Sequence, residues 1–160
     1  MRRLDHPLLP PSLGVHKALT SLHFGEPGSG PKVYIQASLH AEELPGMLAA
    51  YHLRPLLEAA EAQGHVQGEV VLVPMANPVG AAQRLQHKPM GRFELNTGEN
   101  FNRHYPDFFA RISAEVLPAL GPHAAANVAL VRQAMRQYLD QWQPSTELAS
   151  LRRTLLLLAH

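Results

Sequence analysis

His40 and Glu43 stand three residues apart and can offer one imidazole nitrogen and one carboxylate to a single point. A zinc ion held by mixed nitrogen and oxygen ligands needs such a pair. The step His40-Ala41-Glu42-Glu43 follows a stretch expected to be a buried strand, Lys32 to Leu39, and precedes a helix expected to start near Pro45. Glu42 is the alternative carboxylate, but one residue earlier it should point to a different side of the turn. His-x-x-Glu recurs by chance in many chains. The pair gains weight from a second polar cluster, Gly98-Glu99-Asn100-Phe101-Asn102-Arg103-His104-Tyr105-Pro106. Together they point to a metal-dependent hydrolase.

The passage from about Ala76 to Pro106 carries the remaining candidates: Arg84, Arg92, Asn102 and Arg103. An irregular stretch of this length inside a compact domain is uncommon unless it is functional or disordered. Arginine suits a carboxylate because its planar fork can bond both oxygens, and asparagine adds a neutral donor. The competing role for Arg103 is an ion pair with Asp107. Cysteine is absent, so a metal here must use histidine and carboxylates. With 10 histidines most are not ligands, and His52, His65, His87 and His123 read as solvent-facing or structural.

The elements that must position these residues are legible in outline. Val15 to Phe24 has the spacing of a half-buried strand. A loop rich in glycine and proline, 25–31, separates it from Val33-Tyr34-Ile35, and the two strands are expected to pair as a hairpin. Leu44, Met47, Leu48 and Tyr51 recur at helical spacing, with Pro55 expected to kink or restart that helix. Val70 to Val73 is a short apolar run, as in a central strand covered on both faces. Further on, Val128, Val131, Met135, Tyr138, Leu139 and Trp142 should share one face of a helix ending before Pro144. Ser145 is expected to cap a last helix with Glu147 in its first turn. This order is α/β, with a mixed, partly parallel sheet flanked by helices. In such sheets ligands bind beyond the carboxyl ends of the strands, where His40 and Asn77 fall.

Composition narrows the alternatives. At 160 residues with 46% hydrophobic content the chain can bury one core, and residues 1–160 read as a single domain. A formal charge of +1 and the lack of a basic run argue against nucleic acid. Arg2 and Arg3 are not followed by an apolar run, so a signal peptide is not expected. Leu155 to Leu158 is too short to span a bilayer. A cytoplasmic protein without membrane contact is the expectation.

Ser38-Leu39-His40-Ala41-Glu42-Glu43 with Asn100-Phe101-Asn102-Arg103 resembles the succinylglutamate desuccinylase/aspartoacylase family, part of the zinc carboxypeptidase-like hydrolases. The similarity runs from about Val33 to Tyr105 and includes the Asn77-Pro78 step. It implies a zinc carboxypeptidase-like fold, of which this chain is the N-terminal part. It implies zinc as cofactor, His40 and Glu43 as two of three ligands, and Asn102 and Arg103 as binders of the substrate carboxylate. It also implies an upstream arginine that polarises the scissile carbonyl. Arg92 takes that role because it lies closer to the Asn-Arg pair, and Arg84 remains a further substrate-binding candidate. The reaction implied is zinc-assisted hydrolysis of the amide bond of N-acyl amino acids. Two rivals stand beside it: a peptidase acting on short peptides, and a non-catalytic binding domain of the same fold.

The chain also departs from the family pattern. The family takes its third ligand from a later Asp-x-His segment and its general base from a glutamate further on. No Asp-x-His occurs after Arg103. The expectation is therefore a chain cut before the site closes, binding zinc weakly and inactive, unless His160 swings in as a ligand. Its missing strands would leave a sheet edge open to self-association.

Overall fold

The computed structural model describes residues 1–160. Four strands make the main sheet: β1 (Arg2–Pro7), β2 (Ala18–Gly25), β3 (Lys32–Gln36) and β4 (Glu69–Val73). Their order is β1-β2-β4-β3, antiparallel between β1 and β2 and between β2 and β4, and parallel between β3 and β4. The sheet is thus mixed, as expected.

The expected hairpin between the second and third strands does not form, because β4 lies between them. Val71, Leu72 and Val73 have no solvent-accessible surface, so β4 gains most from an interior position with both faces covered. The loop 25–31 is therefore a crossing rather than a turn. It passes over the entrance to β4 at Gly68, where Glu69 N–H donates to Pro31 O at 3.0 Å and Glu26 N–H to Gly68 O at 3.1 Å. A Cβ at Gly25 would stand 2.2 Å from Gly68 O, and one at Gly68 2.2 Å from Pro31 O. Both residues have positive φ, +76° and +102°, so only glycine fits this backbone crossing.

Helix α1 (Leu44–Ala62) covers one face of the sheet, packing Ala50, Leu53 and Leu57 on Leu22, Phe24, Ile35 and Leu72. The helix neither ends nor restarts at Pro55. Pro55 lies on the exposed side of the helix, where the carbonyl that loses its donor can bond water. The other face is covered by α5 (Glu147–Ala159), whose Leu148, Leu151, Leu155 and Leu158 meet Leu19, Val71, Val73 and Phe101. Its cap is Thr146, one residue later than expected, with the hydroxyl accepting from Ala149 N–H at 3.1 Å. Two more helices, α3 (Phe108–Val116) and α4 (Ala124–Gln141), pack on each other through Ile112, Val116, Ala134 and Met135. On α4, Leu139 is buried but Val128 is half exposed, so the expected apolar stripe is covered only in part.

The passage 76–106 is not structureless. It holds the short helix α2 (Pro78–Ala82), a small hairpin of β5 (Arg84–Leu85) and β6 (Lys88–Pro89), and a bridge between Phe93 and Asn100. Phe101, fully buried in the α5-side core, anchors its far end. No helix is long and apolar enough to cross a membrane.

Candidate metal and substrate site

The site is built on the turn that follows β3. Ser38 has φ +56°, a backbone conformation disfavoured for a residue with a side chain. Its hydroxyl donates to Glu43 O at 3.0 Å, and Glu43 N–H donates to His40 O at 3.0 Å. Asn77, fully buried, holds the same turn from outside: its Nδ2 donates to Leu39 O at 2.8 Å while its Oδ1 caps Gly80 N–H at 2.7 Å. The closed turn brings His40 Nδ1 within 3.1 Å of Glu43 Oε1.

A second segment locks against the turn. Ala41 N–H donates to Gly91 O at 3.0 Å, and Gly91 N–H donates to Glu42 Oε2 at 2.8 Å. Glu42 thus faces Gly91 rather than His40, as its position in the turn suggested. Arg92 follows, with Nη2 donating to Glu43 Oε1 at 2.6 Å and a longer contact of 3.4 Å from Nε to Glu42 Oε1.

The third segment is the loop 93–103. Glu94, buried, accepts from the Asn96 amide and backbone and from the Thr97 hydroxyl and backbone, at 2.7–3.1 Å. Phe101 N–H donates to Arg92 O at 3.1 Å. Between these anchors, Asn100 Oδ1 accepts from Asn102 N–H at 2.8 Å and faces His40 Nε2 at 2.9 Å. Sequence reasoning quoted Asn100 but assigned it nothing, and a lone amide in a loop carries no signal that would have.

These contacts decide the state of His40. The Asn102 N–H identifies the Asn100 atom as the oxygen, which can only accept, so His40 Nε2 must carry a proton. On the other side, Nδ1 faces a carboxylate oxygen. A proton or a metal ion between the two atoms would make this contact favourable. A hydrogen bond on one imidazole nitrogen that turns the other toward a metal is the usual arrangement at histidine ligands. The donor pair therefore fits zinc, which takes both imidazole nitrogen and carboxylate oxygen. No group of three or more His, Cys, Asp or Glu side chains is arranged to hold a metal ion. His160 does not join the pair: its ring packs edge-on against Phe108 at 5.7 Å. Partial burial, then Arg132, Lys32 and Arg136, hold its pKa below the ordinary histidine value.

The remaining candidates divide. Asn102 and Arg103 follow Asn100 directly and are exposed, with Arg103 Nη1 donating to Asn102 O at 2.8 Å. The competing ion pair is not formed, because Asp107 caps α3 through Ala110 N–H at 3.2 Å. Arg84 is not brought to the site. Its guanidinium bonds the carbonyls of Ala81 and Gln83, and it lines a groove with Glu42, Gly91, Leu44, Met47 and Met75 on the side of the turn away from His40 Nδ1.

Glu94 makes the loop acid-sensitive. Burial alone would raise its pKa, but the hydrogen bonds from Asn96 and Thr97 outweigh it and hold the carboxyl below its ordinary 4.5. Its contribution is complete above the unfolded value and is lost as pH falls through the folded one. Protection factors of the Thr97 and Phe101 amides should therefore drop below pH 4.5. In Glu94→Gln the drop should vanish from an already lower baseline; an unchanged profile would assign the acid sensitivity elsewhere.

A family model described as succinylglutamate desuccinylase/aspartoacylase catalytic domain matches residues 29–146. A solved protein assigned to that family, from Shewanella amazonensis SB2B, superimposes with a TM-score of 0.74 at 26% identity, covering 98% of this chain and 42% of its own. A second, from Shewanella frigidimarina NCIMB 400, gives 0.73 at 24% identity, covering 96% and 42%. This chain thus spans about two-fifths of the length of these structures. No curated protein matches. The chain belongs to the succinylglutamate desuccinylase/aspartoacylase family, and its mixed sheet with flanking helices is the fold of that family's members.

Proposed function

From membership of this family, we propose that the protein acts in zinc-dependent hydrolysis of the amide bond of N-acyl amino acids. The observation that carries the reading is the approach of His40 Nδ1 and Glu43 Oε1 to 3.1 Å, with the opposite imidazole nitrogen held by Asn100. His40 and Glu43 would hold the metal, which when bound supplies Lewis-acid activation of water and of a carbonyl. Arg92, whose Nη2 donates to Glu43, would stabilise negative charge on the scissile carbonyl oxygen. Loss of such a donor typically costs about 100- to 1000-fold in rate. Asn102 and Arg103 hold the substrate carboxylate at the mouth of the site, and Arg84 is a more remote contact from the neighbouring groove. A screen of N-acyl amino acids against dipeptides, with zinc present, tests the reading. Turnover of dipeptides alone would favour a peptidase.

A non-catalytic binding role of the same fold is the second reading. Ligand binding without turnover would establish it. In either case we place the protein in the cytoplasm, with a small-molecule ligand and no nucleic-acid partner. The free edge of β3, with Val33 half exposed, is a site for self-association.

Arg103→Ala should weaken substrate binding, raising KM at least tenfold in an active enzyme, while moving Tm by little. Arg103 is exposed and pairs with no carboxylate, so nothing in the fold depends on its charge. A large fall in Tm with unchanged KM would make it structural.

A further inference from the structure

His40 is oriented by Asn100, and Asn100 is itself held from the opposite side. Arg152, on α5, is only 7% exposed. Its Nη2 donates to Glu99 Oε2 at 2.9 Å and to the Asn100 carbonyl oxygen at 3.3 Å. The guanidinium also lies over the Tyr105 ring, 5.9 Å from its centroid. One buried cation therefore holds both the Glu99 side chain and the Asn100 carbonyl, and the side chain of that same Asn100 bonds His40 Nε2. This residue lies beyond the 29–146 segment that matches the family model.

Stability is a poor reason for this arginine. Arg152 Nε is buried with no partner, and an incompletely satisfied buried charge costs free energy that an apolar side chain on α5 would not. Its neighbours Leu148, Leu151 and Leu155 already fill the core on that helix. What Arg152 does that leucine or methionine could not is fix a polar loop to a rigid element.

Resting on the reading of His40 as a metal ligand, we propose that Arg152 is a positioning residue: through Glu99 and Asn100 it sets the orientation of the His40 ring toward Glu43. The route is short and polar throughout, from helix α5 to the loop carbonyl, across the Asn100 side chain, to the imidazole. Without the guanidinium, the Asn100 carbonyl loses a donor, the loop 98–103 gains freedom, and His40 is held only from the Glu43 side.

The experiment uses the full chain with Arg152→Met, which keeps the length of the apolar stem. Imidazole nitrogen shifts of His40 are recorded by NMR without metal, and zinc affinity is measured by competition with a chelator. In the wild type, His40 should show a fixed proton on Nε2. In Arg152→Met that pattern should average toward mobile imidazole, and zinc affinity should fall about 10-fold or more, as for other groups that orient a ligand. Asn100→Ala should give the same His40 pattern, and the double variant should add nothing, whereas independent structural effects would add. An unchanged His40 pattern in folded Arg152→Met overturns the proposal, whatever happens to Tm. If that variant does not fold, Arg152→Lys carries the test: it keeps the charge beside Glu99 but not the fork, and a wild-type pattern there overturns it equally. A wild type that binds no zinc would sink the metal reading alone, since the His40 spectrum still decides the role of Arg152.

Discussion

His40→Ala is expected to abolish zinc binding by this chain, and Glu43→Ala to do the same. The two residues are the imidazole and carboxylate that the structure brings within 3.1 Å of each other at the turn after β3. Binding by the wild type should itself be weak, because two protein ligands leave a metal mostly solvated, whereas catalytic zinc sites offer three and an open position. Removing a direct ligand should cost more than the roughly 10- to 100-fold typical of residues that merely orient one. Competition with a chromophoric chelator measures all three. His160→Ala should behave as wild type, since His160 packs on Phe108 among cations. Tight one-to-one binding that survives His40→Ala, or that disappears in His160→Ala, would mean that the metal is held elsewhere.

The second large effect is structural and falls on the same turn. Gly91→Ala should lower Tm by roughly 5–15 °C, corresponding to about 2–4 kcal/mol in a chain of this size. A Cβ at position 91 would stand 2.5 Å from Glu42 N and 2.9 Å from Ala41 C. Those are backbone atoms, so no side-chain rotation relieves the clash. The two segments must separate, breaking the bonds from Ala41 N–H to Gly91 O and from Gly91 N–H to Glu42, each worth about 1 kcal/mol. Arg92 would move with them, and its contacts to Glu42 and Glu43 with it. Gly121→Ala is the control, since a Cβ there meets nothing within 4 Å. A wild-type Tm for Gly91→Ala would show that the approach of the two segments is looser than this geometry.

Much of the site was legible because it is local. His40 and Glu43 belong to one turn, so their spacing alone carries the expectation that they meet, and they do, at 3.1 Å. Likewise Glu42, one residue earlier, turns away to Gly91. The apolar run of β4 announced an interior strand through its composition, whereas the spacing of Leu44, Leu48 and Tyr51 announced the helix α1 but not its buried face: those three are exposed, and Ala50, Leu53 and Leu57 pack on the sheet instead. What was not legible depends on residues far apart in the chain. Asn100 lies 60 residues from His40, and its amide acquires a role only when the Phe93–Asn100 bridge carries it there. Arg92 lies 49 residues from Glu43; its place nearer the Asn-Arg pair favoured it over Arg84, but its bond to Glu43 could not be read from spacing, nor could the bonds of Arg84 to the Ala81 and Gln83 carbonyls.

Strand order shows the same division. Residue types pointed to strands at 15–24, 32–39 and 70–73, since β-branched and apolar alternation depends on near neighbours, whereas β1 (Arg2–Pro7), which lacks that alternation, was not expected. Which strand pairs with which is a competition for the interior of the sheet. There the most apolar segment, β4, displaced the neighbour that a hairpin would have used. By itself, then, the sequence determined the family, three strands of the main sheet and the donor pair of one turn. Only the tertiary structure decided the sheet order, the tautomer of His40 and the reach of α5 to the site through Arg152, because each is set by contacts between segments that meet only when the core closes.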